Sequence, residues 1–453
     1  MKALFEPKSV VIIGASAKEN TVGNGLVKNL TGNPKYKTAA DIPFDGKLFL
    51  VNPNTESIEG IRCYKSLSEI KEKIDLAVIA TPAKTVPEIL KQCKGKVNAA
   101  VVISAGFSEV GEKNLEQELV NTAKETNILL LGPNCLGLLN AHNHLNASFA
   151  PSLTPQGDVA FISQSGALVD SIIDWANAEN FGFSKIVSLG NMAGLQFHDF
   201  LEYLSNDKQT KVLTLYIEGL KDGRKFIDAA KKCKKPIIAL KAGLSNAGAK
   251  AASSHTGSLA GSAEIYKTAM KQAGVILAES MEEMFDIAKT LAKEPTCNNN
   301  IAIITNAGGP GVLATDYCEK YGLHLVELKD STLQKLENTG KMSKSYSKHN
   351  PLDLVGDAVA ETYKAAIDVL INESYVSGII IMQTIQVMTN PYENAKVIFD
   401  AKQRHKGKQK PIICCFMGGE HSKDAVALLE KNGIVNFNDP LRAVRAMSAL
   451  IKE

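Results

Sequence analysis

Nowhere in the 453 residues do two cysteines stand at a Cys-x-x-Cys spacing. The eight cysteines, at positions 63, 93, 135, 233, 297, 318, 414 and 415, are scattered, and Cys414 and Cys415 sit in an apolar run that reads as a strand. Reduced thiols in a cytoplasmic protein fit this usage best, and no metal site is expected. A dominant charge is missing as well: the net charge is +3 and the lysines are dispersed, which leaves no basic field for nucleic acid. No unbroken apolar run approaches the length of a bilayer span, so no membrane association is expected. The start, Met1 to Glu6, lacks a basic region followed by an apolar core and a cleavage site, and is read as no signal peptide. What remains is a globular class, 45% hydrophobic and 22% charged, long enough for about three domains.

From Ser9 onward the pattern is strand, glycine turn, helix: Ser-Val-Val-Ile-Ile, then Gly14-Ala15-Ser16, then Val22 to Leu30. This is a nucleotide-type entry turn, but its second glycine is absent. The next strand, Lys47 to Val51, ends in Asn52-Pro53-Asn54 and carries no acid where NAD would need a carboxylate for its ribose. That absence argues against a dehydrogenase and leaves a phosphate-binding turn intact. Two further strands end in small-residue turns, Thr81-Pro82-Ala83 and Ile103-Ser104-Ala105-Gly106-Phe107, and a last one leads to Gly132-Pro133-Asn134-Cys135-Leu136-Gly137. Such turns line a crevice at the carboxyl ends of parallel strands. The stretch from Ala141 to Gly157, with Pro151 and Pro155, shows no period and reads as a linker.

A second unit opens with the strand Asp158 to Ile162, the turn Ser163-Gln164-Ser165-Gly166-Ala167, and a helix whose first-turn amides have no intrahelical partners. Free amides and the positive end of the helix dipole suit an anion. The strand Val212 to Ile217 then ends in Glu218-Gly219. A third unit repeats the second: the strand Ile301 to Thr305, the turn Asn306-Ala307-Gly308-Gly309-Pro310-Gly311, and a helix in which Pro310 is tolerated at the start. Its strand Val376 to Met382 puts Gln383 where the second unit has Glu218, and His421 precedes a plain amphipathic helix and is expected at the surface. These are two flavodoxin-like units, each with a phosphate-type turn. The second unit's strand Ile237 to Leu240 leads into Ala251 to Gly261, Ala-Ala-Ser-Ser-His-Thr-Gly-Ser-Leu-Ala-Gly, in which His255 sits among mostly small residues. Such a loop lets an imidazole be reached from several sides, as a nucleophile serving two substrates requires.

The ordered set Gly14-Ala15-Ser16, Ser104-Ala105-Gly106-Phe107, Gly132 to Gly137, Ser163-Gln164-Ser165-Gly166, Glu218-Gly219, Ser254-His255-Thr256-Gly257, Asn306-Ala307-Gly308-Gly309 and Asn350-Pro351-Leu352-Asp353 resembles the nucleoside-diphosphate-forming acyl-CoA synthetases, relatives of succinyl-CoA synthetase. The resemblance covers essentially the whole chain. It implies an α/β architecture with a Rossmann-like CoA-binding domain over residues 1–145, a ligase domain with the histidine loop over 146–295, and a second flavodoxin-like ligase domain over 296–453. It implies CoA on Gly14, Ala15, Ser16, Asn52, Pro53, Asn54, Ile103, Ser104, Ala105 and Asn134, and phosphate on Gln164, Ser165, Gly166, Gly308, Gly309 and Gly311. His255 becomes phosphorylated and Glu218 orients it. The family's ATP-grasp part, which holds ADP or ATP with Mg2+, is not recognised in the sequence, so an alpha subunit needing a beta partner is expected, two of each chain. A CoA-sensing scaffold without chemistry and a nicotinamide-dependent dehydrogenase are the alternatives.

The missing acid at Asn52-Pro53-Asn54 makes the first expectation testable. Calorimetry with CoA, NAD and NADP should give heat for CoA alone; nicotinamide binding without CoA binding would overturn the assignment of the first domain.

Overall fold

The computed structural model describes residues 1–245, 247–248, 263–405, 407 and 410–452. Contacts divide the chain into two compact units, Met1–Ser280 and Met281–Glu453.

Apolar runs without polar alternation belong to parallel strands covered on both faces, and β1 (Ser9–Ile13) is buried at every position. With it run β2 (Lys47–Val51), β3 (Ser57–Ile58), β4 (Ile61–Tyr64), β5 (Ile74–Ile79), β6 (Val97–Val102) and β7 (Leu129–Leu131), in the order β3-β4-β2-β1-β5-β6-β7. All pairs are parallel except β3 with β4. The chain leaves β1 toward β2 on one side and later returns to β5 on the other, which opens a crevice above the carboxyl end of β1.

The second sheet holds β8 (Gly137–Asn140), β9 (Leu145–Ser148), β10 (Gln156–Ser163), β11 (Phe183–Ser188), β12 (Val212–Ile217), β13 (Ile237–Lys241) and β14 (Val275–Ala278), ordered β14-β13-β12-β10-β11-β8-β9. Here the reading of 141–157 as a linker is corrected. β9 is buried throughout and pairs antiparallel with β8, which pairs antiparallel with β11. The prolines and the lack of a period hid this strand, in which Ser148 Oγ donates to Asn146 Oδ1 at 2.6 Å. From the first sheet's helix Val22–Leu30, Asn29 Nδ2 donates to the carbonyls of Ser148 and Ala150 at 2.8 and 2.9 Å. Local polar pairing thus hides a strand that carries no alternation.

One apolar cluster joins the two sheets: Val10, Ile12, Leu76, Val78 and Val101 from the first are continuous with Ile162, Val187, Leu213, Leu215 and Ala239 from the second. The short helix Lys2–Phe5 is pinned here, with Phe5 stacked on Tyr203 at 5.3 Å and its carbonyl taking Asn140 Nδ2 at 2.8 Å. Beside it lies Lys185, whose side chain has no exposed surface and whose Nζ donates to Asp207 Oδ2 at 2.6 Å and Gln209 Oε1 at 2.9 Å.

In the second unit, β15 (Asn300–Thr305), β16 (His324–Leu325), β17 (Leu352–Asp353), β18 (Gly378–Gln383), β19 (Ile412–Phe416) and β20 (Val435–Phe437) form a parallel sheet ordered β16-β15-β18-β19-β20, with β17 also on β15. β16 and β17 cover different lengths of the same edge of β15, and Asn350 fills the gap between them. It accepts from Ile303 N at 2.9 Å and donates to the carbonyls of Ile301 and Val326 at 2.9 and 3.0 Å, as a strand residue would. The helix Met281–Lys293 is held in this unit by Asp286, which takes Arg442 Nε and Nη2 at 2.7 and 2.8 Å.

Breaking a buried pair strands the remaining charge, so Asp207→Ala should cost about 3–5 kcal/mol in urea unfolding at neutral pH. Burial raises the Asp207 pKa, but the bonds from Lys185 and Thr210 outweigh it and hold the carboxyl below its ordinary 3.8. Its contribution is therefore complete above that value, and the gap between wild type and variant should close as pH falls through the depressed value.

Candidate functional site

The turns named from the sequence gather at the carboxyl ends of their strands. After β1, Gly14 takes φ +95°, and a Cβ there would lie 2.6 Å from the Ala80 carbonyl, so only glycine lets the turn pass β5. Ala15 and Ser16 follow, and the Ser16 carbonyl takes Asn24 Nδ2 at 3.1 Å. Asn52 Nδ2 donates to the Ala15 carbonyl at 2.7 Å and Asn52 Oδ1 accepts from Asn54 N at 2.7 Å, which ties the end of β2 to that of β1 and leaves Pro53 and Asn54 exposed. An amide does here what an acid does in a dinucleotide site: it orders the second turn, but offers no charge to a ribose. Beyond β6, Ile103 is buried, Ser104 Oγ donates to the Thr81 carbonyl at 2.5 Å, and the Ser104 carbonyl takes Asn134 N at 3.0 Å. Ala105 is exposed at the tip. The structure thus connects Gly14, Ala15 and Ser16 with Asn52, and Ser104 with Asn134.

In the second sheet the strand-to-helix turn is shaped by one hydroxyl. Ser163 Oγ donates to the Ser165 carbonyl at 2.8 Å and accepts from Ser165 N at 3.1 Å. Ser165 Oγ in turn caps the helix Gly166–Ala178 by accepting from Leu168 N at 3.3 Å. The amides of Gly166 and Ala167, the first two of the helix, have no intrahelical acceptor, and they sit at the positive end of its dipole. Gln164 points the other way: its Oε1 accepts from Glu218 N at 2.5 Å and Gly219 N at 2.9 Å, so the turn holds the main chain that carries Glu218.

The second unit repeats the hydroxyl clasp, with no side-chain cap where the first has Ser165. Thr305 Oγ1 donates to the Ala307 carbonyl at 3.0 Å and accepts from Ala307 N at 3.1 Å, ahead of the helix Gly308–Lys320. Asn306 Oδ1 accepts from Thr384 N at 2.8 Å, as Gln164 does from Glu218. Pro310 has no amide, so Gly308 and Gly309 supply the open donors; Gly309 is clear of neighbours, while a Cβ on Gly308 would stand 3.3 Å from Asp353 Oδ2. Gly311 packs against Thr305 and Pro351. Strand register corrects one expectation. Ile162 lies beside Leu215 and Ile304 beside Ile381, so with Ser163 matched to Thr305 the counterpart of Glu218 is Thr384, and Gln383 matches Ile217. Gln383 is buried and bonded to Asn394. His421 is exposed, as expected.

Sequence reasoning passed over Lys241, at the end of β13. Its Nζ donates to the Glu218 carbonyl at 2.9 Å and to the Ala242 carbonyl, and lies 5.2 Å from the Tyr266 ring centroid. Burial lowers its pKa and the Glu218 charge opposes that. Burial and then Glu218 raise the phenol of Tyr216. The signal was available, since a lysine closing an apolar strand beside Glu218-Gly219 has few other reasons to be there. His255 lies outside the described residues. Among the described residues no group of three or more His, Cys, Asp or Glu is placed to hold a metal ion.

Three families match along the chain: the CoA binding domain over residues 8–141, the succinyl-CoA ligase like flavodoxin domain over 156–291 and the ligase-CoA domain over 301–448. The alpha subunit of acetate–CoA ligase (ADP-forming) II from Pyrococcus furiosus is 42% identical over 99% of this chain and 97% of its own length. The acetate–CoA ligases (ADP-forming) of Methanocaldococcus jannaschii and Archaeoglobus fulgidus are 48% and 44% identical, and the chain spans 63% of the length of each. The fold superposes on the dinucleotide-forming acetyl-coenzyme A synthetase 1 of Ca. Korarchaeum cryptofilum, in complex with phosphate and ADP, with a TM-score of 0.92 at 37% identity, covering 99% of this chain and 96% of that one. With all three domains matched in order and full-length likeness to a relative of its own size, the chain belongs to the ADP-forming acetate–CoA ligase family.

Proposed function

We propose that the chain is the alpha subunit of an ADP-forming acyl-CoA synthetase, interconverting acyl-CoA, phosphate and ADP with carboxylic acid, CoA and ATP. The observation that carries this reading is the repeated hydroxyl clasp, Ser163 on Ser165 and Thr305 on Ala307, which opens each of two helices with a pair of free amides. Phosphoryl transfer needs charge neutralised around the moving group, and helix termini do so without a titratable donor. CoA lies on the first sheet at Gly14, Ala15, Ser16, Asn52, Pro53, Asn54, Ile103, Ser104, Ala105 and Asn134. Phosphate lies on Gln164, Ser165 and Gly166, with Gly308, Gly309 and Gly311 as the second cradle.

A phosphate oxygen attacks the thioester carbonyl, the C–S bond breaks, and the thiolate leaves with the phosphate's proton, giving acyl phosphate and CoA. A ring nitrogen of His255 then attacks phosphorus, the P–O bond to the acyl group breaks, and the carboxylate departs. Glu218, its main chain fixed by Gln164 and Lys241, takes the hydrogen bond from the other ring nitrogen and steadies the imidazolium. ADP, held with Mg2+ on an ATP-grasp beta subunit, receives the phosphoryl group, in an assembly of two alpha and two beta chains. The Pyrococcus relatives named as alpha subunits, matched over 97% of their length, support the separate partner. A cytoplasmic setting is supported by eight free cysteines; no described helix is long and apolar enough to cross a membrane.

Incubation with acetyl-CoA and labelled phosphate should label the chain in an acid-labile, base-stable form on His255. His255→Ala should lose the label and keep CoA binding, and Glu218→Gln should slow labelling about tenfold, since an amide keeps a hydrogen bond but not the charge. Label on His421, or unchanged labelling of His255→Ala, would sink the mechanism.

A further inference from the structure

One side-chain amide, that of Asn191, touches two of the turns at the carboxyl ends of the strands and the helix Lys113–Thr126 that follows one of them. Asn191 stands beyond β11, behind Gly190, which takes φ +55° and lies so close to the first sheet that a Cβ would sit 2.3 Å from the Pro133 carbonyl. Asn191 N donates to that same carbonyl at 2.9 Å. Its Oδ1 accepts from Asn134 Nδ2 at 3.1 Å. Its Nδ2 donates to Glu109 Oε2 at 2.6 Å and to Glu116 Oε2 at 2.8 Å. The other oxygen of Glu109 accepts from Gly106 N at 2.5 Å and Phe107 N at 3.1 Å, and so shapes the turn that follows Ser104 and Ala105. Ser108 Oγ donates to Glu116 Oε2 at 2.6 Å, and the remaining Glu116 oxygen faces Lys221 Nζ at 3.9 Å, just past Glu218-Gly219.

Two carboxylates converging on one amide repel each other by roughly 4 kcal/mol if their charges are about 4 Å apart near a surface. Burial raises the Glu109 pKa further, yet the bonds from Asn191, Gly106 and Phe107 hold it below its usual range. The two sheets already share a continuous apolar cluster, so this arrangement is not needed to keep them together. What it adds is direction: the Ser104 to Phe107 turn and Asn134 on one side are fixed against the Leu189 to Asn191 turn, whose Leu189 N donates to the Ser163 carbonyl at 2.8 Å.

We propose that Asn191 is a positioning residue that sets the turn taking the CoA thioester at its working distance from the turn taking phosphate, and so governs the rate of thioester phosphorolysis and not the affinity for CoA. This rests on the ligase reading. The attacking oxygen must stand about 3–3.5 Å from the carbonyl carbon, and a displacement of about 1 Å costs on the order of a hundredfold.

The test is the single-turnover release of CoA thiol from acetyl-CoA and phosphate by the full chain, with CoA affinity measured by calorimetry. Asn191→Ala should lower the saturating rate at least about 30-fold while the half-saturating acetyl-CoA concentration and the CoA affinity stay within about threefold. Asn191→Asp, which turns the donor into a third carboxylate, should be slower still. Adding Glu109→Gln should restore at least about tenfold of that loss, because the introduced side-chain amide would donate to the new carboxylate while its carbonyl oxygen still accepts from Gly106 and Phe107. An Ala variant with a rate within threefold of wild type, one that loses rate and CoA affinity together, or an exchange that recovers nothing would each overturn the proposal. If the unsubstituted chain binds CoA but releases no thiol, the ligase reading itself fails and this inference with it.

Discussion

A single hydroxyl at the end of a strand decides the geometry of each anion turn. Ser163 and Thr305 both give their proton to the carbonyl two residues on and accept that residue's amide, and the chain can then do little but enter a helix. The turn has two outputs. Toward the crevice it presents helix amides that no backbone acceptor can reach. Toward the neighbouring strand it sends the intervening side chain, Gln164 or Asn306, whose oxygen takes the amide of the residue just past the adjacent strand. The helix amides and the main chain just past the adjacent strand are therefore placed by one local motif.

Divergence between the copies is confined to what that motif holds. At the position where the first copy presents a carboxylate, Glu218, the second presents Thr384, whose hydroxyl and amide both turn back onto Asn306 Oδ1 at 3.2 and 2.8 Å. A residue that spends its polar atoms on the scaffold has none to give an imidazole. The second copy also places Asp353 Oδ2 3.3 Å from where a Cβ on Gly308 would stand, where the first copy has Leu136 and Ser188 around Gly166. The copies keep the hydroxyl clasp and differ in the charge placed beside it.

The strand ends were legible in the sequence because glycine and small residues punctuate apolar runs, and this located the turns at Gly14, Ser104, Asn134, Ser165 and Gly308. The strand β9 was not legible: its Ser148 hydroxyl pairs with Asn146 Oδ1, and the Ser148 carbonyl with Asn29, a residue more than a hundred positions away. The counterpart of Glu218 was displaced by one residue for a related reason. A match made on the residue after each apolar run carries no register, and in a parallel sheet one residue of slip exchanges one face of the strand for the other. Asn191 was missed because its partners come from two separate turns and a helix, and no spacing in the chain announces that they converge. His255 is legible only by composition and resemblance, since it lies outside the described residues.

The division of the chain into units also bears on which step needs rigidity. The CoA turns of the first sheet and the Ser165 turn of the second lie in one compact unit and are joined by a shared apolar cluster below and by the Asn191 network above. Attack of phosphate on a thioester tolerates little misplacement, and in the proposed mechanism it is the one step whose two reactants are both held by this unit. Handing a phosphoryl group to a nucleotide on another chain demands the opposite, a carrier that leaves the place where it was loaded. The histidine proposed to carry it stands in a stretch of alanine, serine, threonine and glycine with one leucine, small residues that restrict the backbone little. In that mechanism Glu218 serves the second step from within the same unit, where the Lys241 ammonium donates to its carbonyl at the end of β13.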